Sequence, residues 1–127
     1  MPSLTSLNFS NFGIKRIGQG IWLEGLKTLN LFSNNIEVFE NLTSMPSLTQ
    51  LNLSNNKIRK IQNSNYLPAL QDLQLHGNQI EVLENLQSFP SLTKLDLSNQ
   101  SISKIENTFS LPALRQLNLD NNKIKVL

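Results

Sequence analysis

Apolar residues return on a fixed frame along this chain. Leu4, Leu26, Leu48, Leu70, Leu92 and Leu114 stand 22 residues apart, and each opens the same phrase. Numbering each unit from that leucine, positions 1, 4, 6, 11 and 14 are apolar in all six; in the third they are Leu48, Leu51, Leu53, Ile58 and Ile61. Positions 4 and 6 are two apart, so on a strand they share one face while positions 3, 5 and 7 take the other. The pattern predicts a half-buried strand carrying positions 3 to 7, followed by an inward turn and a return segment. Position 20 adds Leu23, Met45, Leu67, Phe89 and Leu111 to the expected core, and position 21 is proline at Pro46, Pro68, Pro90 and Pro112. Proline has no N–H and suits the approach to a strand rather than its middle.

No single 22-residue unit can bury its apolar face alone, so the units must stack. Position 9 carries Asn34, Asn56, Asn78 and Asn122. A chain turning inward leaves backbone polar groups inside the coil, and an asparagine amide carries both donors and an acceptor for them. A structural asparagine ladder is therefore expected. It is interrupted by Phe12, read as sealing the end, and by Gln100, one methylene longer and expected to bond with altered geometry.

A 44-residue period lies inside the 22-residue one. Odd units share Leu-Pro-Ala-Leu at 67–70 and 111–114, whereas even units carry Ile36 to Leu42 and Ile80 to Leu86 with a common Ile-Glu-Val core. Odd units supply an aromatic in the return segment instead, at Trp22, Tyr66 and Phe109. Position 12 reads Lys15, Glu37, Arg59, Glu81, Ser103, Lys125 down the stack, and position 13 alternates Arg16, Val38, Lys60, Val82, Lys104, Val126. Because these charges alternate, a ladder of exposed ion pairs is the preferred reading over a phosphate patch at Lys57, Arg59 and Lys60.

The phrase L-x-x-L-x-L-x-x-N-x-I, as at Leu48 to Ile58 and Leu70 to Ile80, resembles the short, 22-residue class of leucine-rich repeat. That class includes the leucine-rich regulatory subunit of protein phosphatase 1, related cytoskeletal repeat proteins and internalin repeats. The resemblance covers essentially the whole chain. It implies an α/β right-handed solenoid, with a parallel sheet on the concave face and short 3-10 or extended segments on the convex face. It also implies a protein partner bound on the concave sheet. A single domain over 1–127 is expected, with units starting near 4, 26, 48, 70, 92 and 114, the last incomplete and no recognisable cap at either end.

Composition narrows the function classes. The net charge of +2 is too small to argue for nucleic acid. Cysteine is absent, which favours a reducing compartment. With no secretory signal or spanning apolar run in the sequence, a cytoplasmic location without membrane contact is the expectation. Asn8, Asn41, Asn52 and Asn99 begin N-x-S/T triplets, read here as products of the repeat consensus rather than glycan acceptors.

The outward columns define the candidate site. Position 5 is almost wholly amide: Asn8, Asn30, Asn52, Gln74, Asp96, Asn118. Three aspartates against Lys94 leave this face at about −2, opposite in sign to the chain. Phe32 and His76 break the polar pattern at position 7, two coils apart and hence roughly 10 Å. The expected partner-binding residues are Phe32, Gln50, Asp72, Gln74, His76, Lys94 and Asp96. No catalytic constellation, cofactor motif or metal-ligand set is read from the sequence, so a non-enzymatic regulatory or scaffolding module is expected. Self-association through the uncapped ends, or an adhesin-like fragment, stands as the alternative.

Overall fold

A computed structural model describes residues 4–18, 23–43, 45–62, 64–106 and 111–125. Six parallel strands form one sheet: β1 (Ser6–Asn8), β2 (Thr28–Asn30), β4 (Gln50–Asn52), β6 (Asp72–Gln74), β8 (Lys94–Asp96) and β10 (Gln116–Asn118), in the spatial order β1-β2-β4-β6-β8-β10. The register is an exact 22-residue translation, with Leu7, Leu29, Leu51, Leu73, Leu95 and Leu117 opposite one another. Each strand is three residues long because position 6 is already leaving the sheet to enter the core. Leu31, Leu53, Leu75 and Leu97 are all buried there.

The return segments hold four two-residue strands: β3 (Val38–Phe39), β5 (Lys60–Ile61), β7 (Val82–Leu83) and β9 (Lys104–Ile105). They pair only as β3 with β5 and β7 with β9. One 3-10 turn, Leu86–Ser88, completes the return side, and no α-helix occurs among the described residues. The 44-residue period is thus physical. Coils 2 and 3, and coils 4 and 5, are zipped by a convex ribbon. Across the 1–2 and 3–4 boundaries no such ribbon forms among the described residues; Asn41 Nδ2 donates to Ile17 O at 2.9 Å and Asn85 Nδ2 to Ile61 O at 2.8 Å, and Leu67 N donates to Ser88 O at 3.0 Å across the 3–4 boundary. The ribbon registers Val38 against Lys60 and Val82 against Lys104, as the alternation at position 13 requires. Trp22, Phe109 and Val126, singled out in the sequence, lie outside the described residues.

The core is a column of aliphatic side chains running the length of the stack, thickened by Phe39 and Phe89. Their rings stack at 5.5 Å with 26° between planes, both completely buried. Each such aromatic buries 150–250 Å² in a typical core, so this pair supplies bulk where single leucines would leave gaps.

The asparagines at position 9, buried at Asn34, Asn56 and Asn78 and half-buried at Asn122, use every polar atom. Asn56 is typical: Nδ2 donates to Leu31 O and Leu53 O, both at 3.0 Å, while Oδ1 accepts from Ile36 N at 3.0 Å. Asn34, Asn78 and Asn122 repeat this one coil back and onward. Each position-6 carbonyl between two asparagines thereby receives two amides, one from its own coil and one from the next. Gln100 keeps Ile80 N, at 3.2 Å, and reaches Leu75 O, but makes no bond to Leu97 O of its own coil. Its extra methylene carries the amide past that carbonyl. Phe12 packs edge-on against Phe9 at 5.7 Å and remains 69% exposed, so it shields the first coil without sealing it.

Position 8, just before the ladder, has a separate role. Asn11, Ser33, Asn55, Gly77, Asn99 and Asn121 all adopt positive φ, between 55° and 72°. Left-handed backbone costs an ordinary L-residue roughly 1–2 kcal/mol, and asparagine and glycine tolerate it best. The Asn-Asn doublets therefore divide the work: the first turns the chain and the second fills the coil.

The charge column at position 12 closes at one place among the described residues. Arg59 meets Glu37 at 2.8 Å, whereas Lys15 and Glu81 make no ion pair. Arg16 turns instead to Glu40 at 3.8 Å, and Lys104 to Glu106 at 3.7 Å. The alternating ladder expected from the sequence is thus a single closed rung. Long exposed side chains gain at most about 1 kcal/mol per pair and reach whichever carboxylate costs them least rotamer entropy.

Candidate functional site: the concave sheet face

The strands place their outward residues in rows. Gln50, Asp72 and Lys94 are successive register partners, and so are Asn52, Gln74 and Asp96. Among the described residues no other element covers this face. Two shallow hollows lie along it: one of about 360 Å³ lined by polar side chains from Ser6 to Gln74, and one of about 470 Å³ lined from Gln74 to Asn118, including Lys94, Asp96 and Arg115.

Position 5 has a backbone task that fixes its side chain. The Oδ1 of Asn8, Asn30, Asn52, Asp96 and Asn118 each accepts the N–H two residues on, at 2.9 Å in all five coils. Their acceptor is thereby spent on the strand-ending turn. What remains outward is set by residue type. Asparagine offers an NH2 donor and aspartate a carboxylate oxygen. Gln74 is too long to make this turn and donates to Asp72 Oδ1 at 2.7 Å.

Position 7 lies where the chain leaves the sheet. Ser54 and Ser98 are buried there, and Phe32 and His76 are half-buried. Phe32 and His76 both lie outside the lining of the two hollows, and the coil carrying Ser54 separates them. The seven residues expected to form the binding site therefore divide. Gln50, Asp72, Gln74, His76, Lys94 and Asp96 are brought together on β4, β6 and β8 and their ends, and Phe32 stands apart.

His76 belongs to a chain of hydrogen bonds that sequence reading missed. Ser98 Oγ lies 2.6 Å from Asp96 Oδ1 and 2.8 Å from His76 Nδ1. A carboxylate only accepts, so the single hydroxyl proton goes to Asp96. Ser98 Oγ then accepts from His76 Nδ1–H. Asn99 Nδ2 lies 3.4 Å from the same ring nitrogen. The three residue types match a hydrolytic triad, but their order does not. In a triad histidine takes the serine proton, whereas here aspartate holds it. The signal available in the sequence was Ser98 at position 7, directly across from His76.

Asparagines on the convex side were also missed. Asn65 is buried; its Oδ1 accepts from Leu42 N at 3.0 Å and its Nδ2 donates to Phe39 O and Gln62 O, both at 2.9 Å. It holds the return segment as position 9 holds the turn. No cluster of histidine, cysteine or acidic residues able to hold a metal occurs among the described residues. No helix among them is long and apolar enough to cross a membrane.

A stacked parallel sheet with an internal amide ladder defines a solenoid repeat protein. The family profile described as "Leucine Rich repeats (2 copies)" matches residues 24–66 and 46–89, and that described as "Leucine rich repeat" matches residues 68–124. The chain belongs to the leucine-rich repeat family. No curated protein matches it. Among solved structures it is similar to a chain in the crystal structure of a TLR13-ssRNA13 complex, with 22% identity and a TM-score of 0.57. That match covers 96% of this chain and 26% of the other, so this chain spans about a quarter of its neighbour's length. At that identity the likeness concerns the fold.

Proposed function

We propose that this chain is a non-enzymatic binding module that receives a protein partner on its concave sheet, as a regulatory or scaffolding element. One observation carries the reading. Six strands present three columns of largely polar side chains that no other element covers among the described residues, on backbone already fixed by register and by the position-5 turns. A preorganised surface of this kind loses little freedom on association. The Ser98 proton held by Asp96 supports a non-catalytic role. The family's interaction role favours a protein ligand, and the acidic balance of the face argues against nucleic acid. The lack of cysteine supports a cytoplasmic placement within this proposal.

Photo-crosslinking from single sites tests the placement. A benzoylphenylalanine in place of Gln50 should yield a discrete adduct from the native cell extract, and one in place of Arg59 on the convex side should not. Adducts from Arg59 alone would move the site to the other face.

A second reading, self-association end to end, is favoured by the apolar residues of the terminal coils. Leu4 is 41% and Phe12 69% exposed at the β1 side, and Leu117 is 41% exposed at the β10 side. Among the described residues, both outer strands of the sheet also carry one unpaired edge. Light scattering over a concentration series decides it: a constant monomer mass removes this reading.

A further inference from the structure

A short groove runs along the side of the stack where the return segments lead into the strands. It is a hollow of about 320 Å³ lined by Glu24, Met45, Pro46, Tyr66 and Pro68. Glu24, Pro46 and Pro68 share one column of the 22-residue frame, so they stand in a row on three successive coils. The strands that follow them pair one coil apart, which sets Glu24 roughly 10 Å from Pro68. Met45 is buried and forms the floor, while Pro46 is exposed and Pro68 half-buried.

Tyr66 stands beside this row, 55% exposed. Its two neighbours in sequence, Asn65 and Leu67, are both buried. The Tyr66 N–H donates to Leu42 O and the Leu67 N–H to Ser88 O, both at 3.0 Å. Asn65 adds its three side-chain bonds. The ring is therefore held out on backbone tied to the coils on either side, and presenting it to a partner costs little ordering. Ser88 takes the same frame position one coil on and is buried, so the ring is an isolated ridge.

The groove is selective about what it can hold. Its backbone is closed into turns: Leu26 N donates to Leu23 O at 3.0 Å, and Leu48 N to Met45 O and Leu70 N to Leu67 O, both at 3.2 Å. A backbone folded this way offers no edge to an added strand. A polyproline II segment needs none, because its own backbone stays solvated while its rings pack on aromatic surfaces. Among the described residues Glu24 supplies the only charge in the lining, and no cation lies within ion-pair distance of it. Polyproline II rises about 3.1 Å per residue, so three residues span about 9.3 Å. That matches the two coil spacings between Glu24 and Pro68.

We propose that this groove is a docking site for a proline-rich segment in the polyproline II conformation. One proline packs on Tyr66 and Pro68, and a basic residue three positions away reaches Glu24. The groove shares no residue with the concave hollows, so it is a second surface and stands independently of the concave-face reading.

Titration of the full chain with acetylated and amidated Arg-Pro-Pro-Pro-Pro-Pro should move the amide signals of Glu24, Met45, Tyr66 and Leu67. Tyr66→Ala should weaken binding by about tenfold, the loss of an aromatic anchor, and should keep the urea midpoint because the ring is exposed. Glu24→Gln should weaken it by about threefold and abolish the preference for arginine over glutamine at the first residue of the peptide. Alanine at the fourth residue of the peptide should cost more than alanine at the third, since only the fourth stands three positions from the arginine. Equal binding of the glutamine peptide, unchanged affinity in Tyr66→Ala, equal losses at the third and fourth residues, or no binding at millimolar peptide overturns the site. Shifts confined to Asn8, Asn30 and Asn52 overturn it while leaving the concave reading intact.

Discussion

Two neighbouring asparagines of the ladder should prove energetically coupled, by an amount their shared carbonyl sets. Replacing Asn56 with alanine strands Ile36 N, which has no other acceptor. Leu31 O keeps its bond from Asn34 at 2.9 Å and Leu53 O keeps its bond from Asn78 at 3.0 Å. One wholly orphaned buried N–H costs about 1–3 kcal/mol. Asn78→Ala strands Ile58 N in the same way, again leaving Leu53 O with one partner. The double variant removes both amides from Leu53 O, adding a third orphan that neither single change creates. The double loss should therefore exceed the sum of the singles by about 1–2 kcal/mol. Asn56 and Asn122 share no carbonyl, and that pair should add to within about 0.5 kcal/mol. Urea unfolding followed by far-UV circular dichroism gives all the values. Additivity in the Asn56/Asn78 cycle, matching the control pair, would refute the shared-carbonyl account.

Three further outcomes follow from the turns and the convex side. Ser33→Asn should stabilise by about 0.5–1 kcal/mol, because serine holds a φ of 56° where other coils use asparagine; a lower urea midpoint would count against it. Gly77→Ala should cost about 1–2 kcal/mol, since alanine must adopt a φ of +72° there. The Asn55 side chain that its new Cβ would meet can rotate away, so the backbone strain remains after side-chain relaxation, and a neutral melting temperature would contradict this. Asn65→Ala should lose about 1–3 kcal/mol by stranding Leu42 N, as measured in the same urea series. No loss there would mean that water reaches this part of the return segment.

The sequence made the fold legible wherever one residue does one job in every coil. Position 4 reads as core because Leu29, Leu51 and Leu73 face inward from a fixed register. Position 9 reads as ladder because only an amide can meet donors and acceptors at once. Position 8 was less visible, since its demand falls on backbone φ and asparagine beside asparagine looks like one signal. The convex asparagines hide for another reason. Asn65 and Asn41 serve similar ends from positions 18 and 16, so no column of the 22-residue frame contains both. Position 12 misled because charges in register need not touch when their stems are long and solvated. The candidate site was legible as a set of columns, but the tie between His76 and Asp96 was not. It passes through Ser98, which resembles every other serine at the strand ends until the proton is followed.

The shared carbonyls also govern how the molecule opens. A coil in the middle of the stack is bonded on both flanks, whereas a terminal coil has lost one set of partners. Opening should begin at the outer coils and travel inward, so hydrogen exchange should be fastest around β1 and β10 and slowest around β4 and β6. Asp72 lies on β6, and Gln74 joins it to the row that includes Asp96. The outward side chains of these strands thus rest on slowly exchanging backbone. A visiting chain would meet a template that is already rigid, and the ordering on contact would fall almost wholly on the visitor.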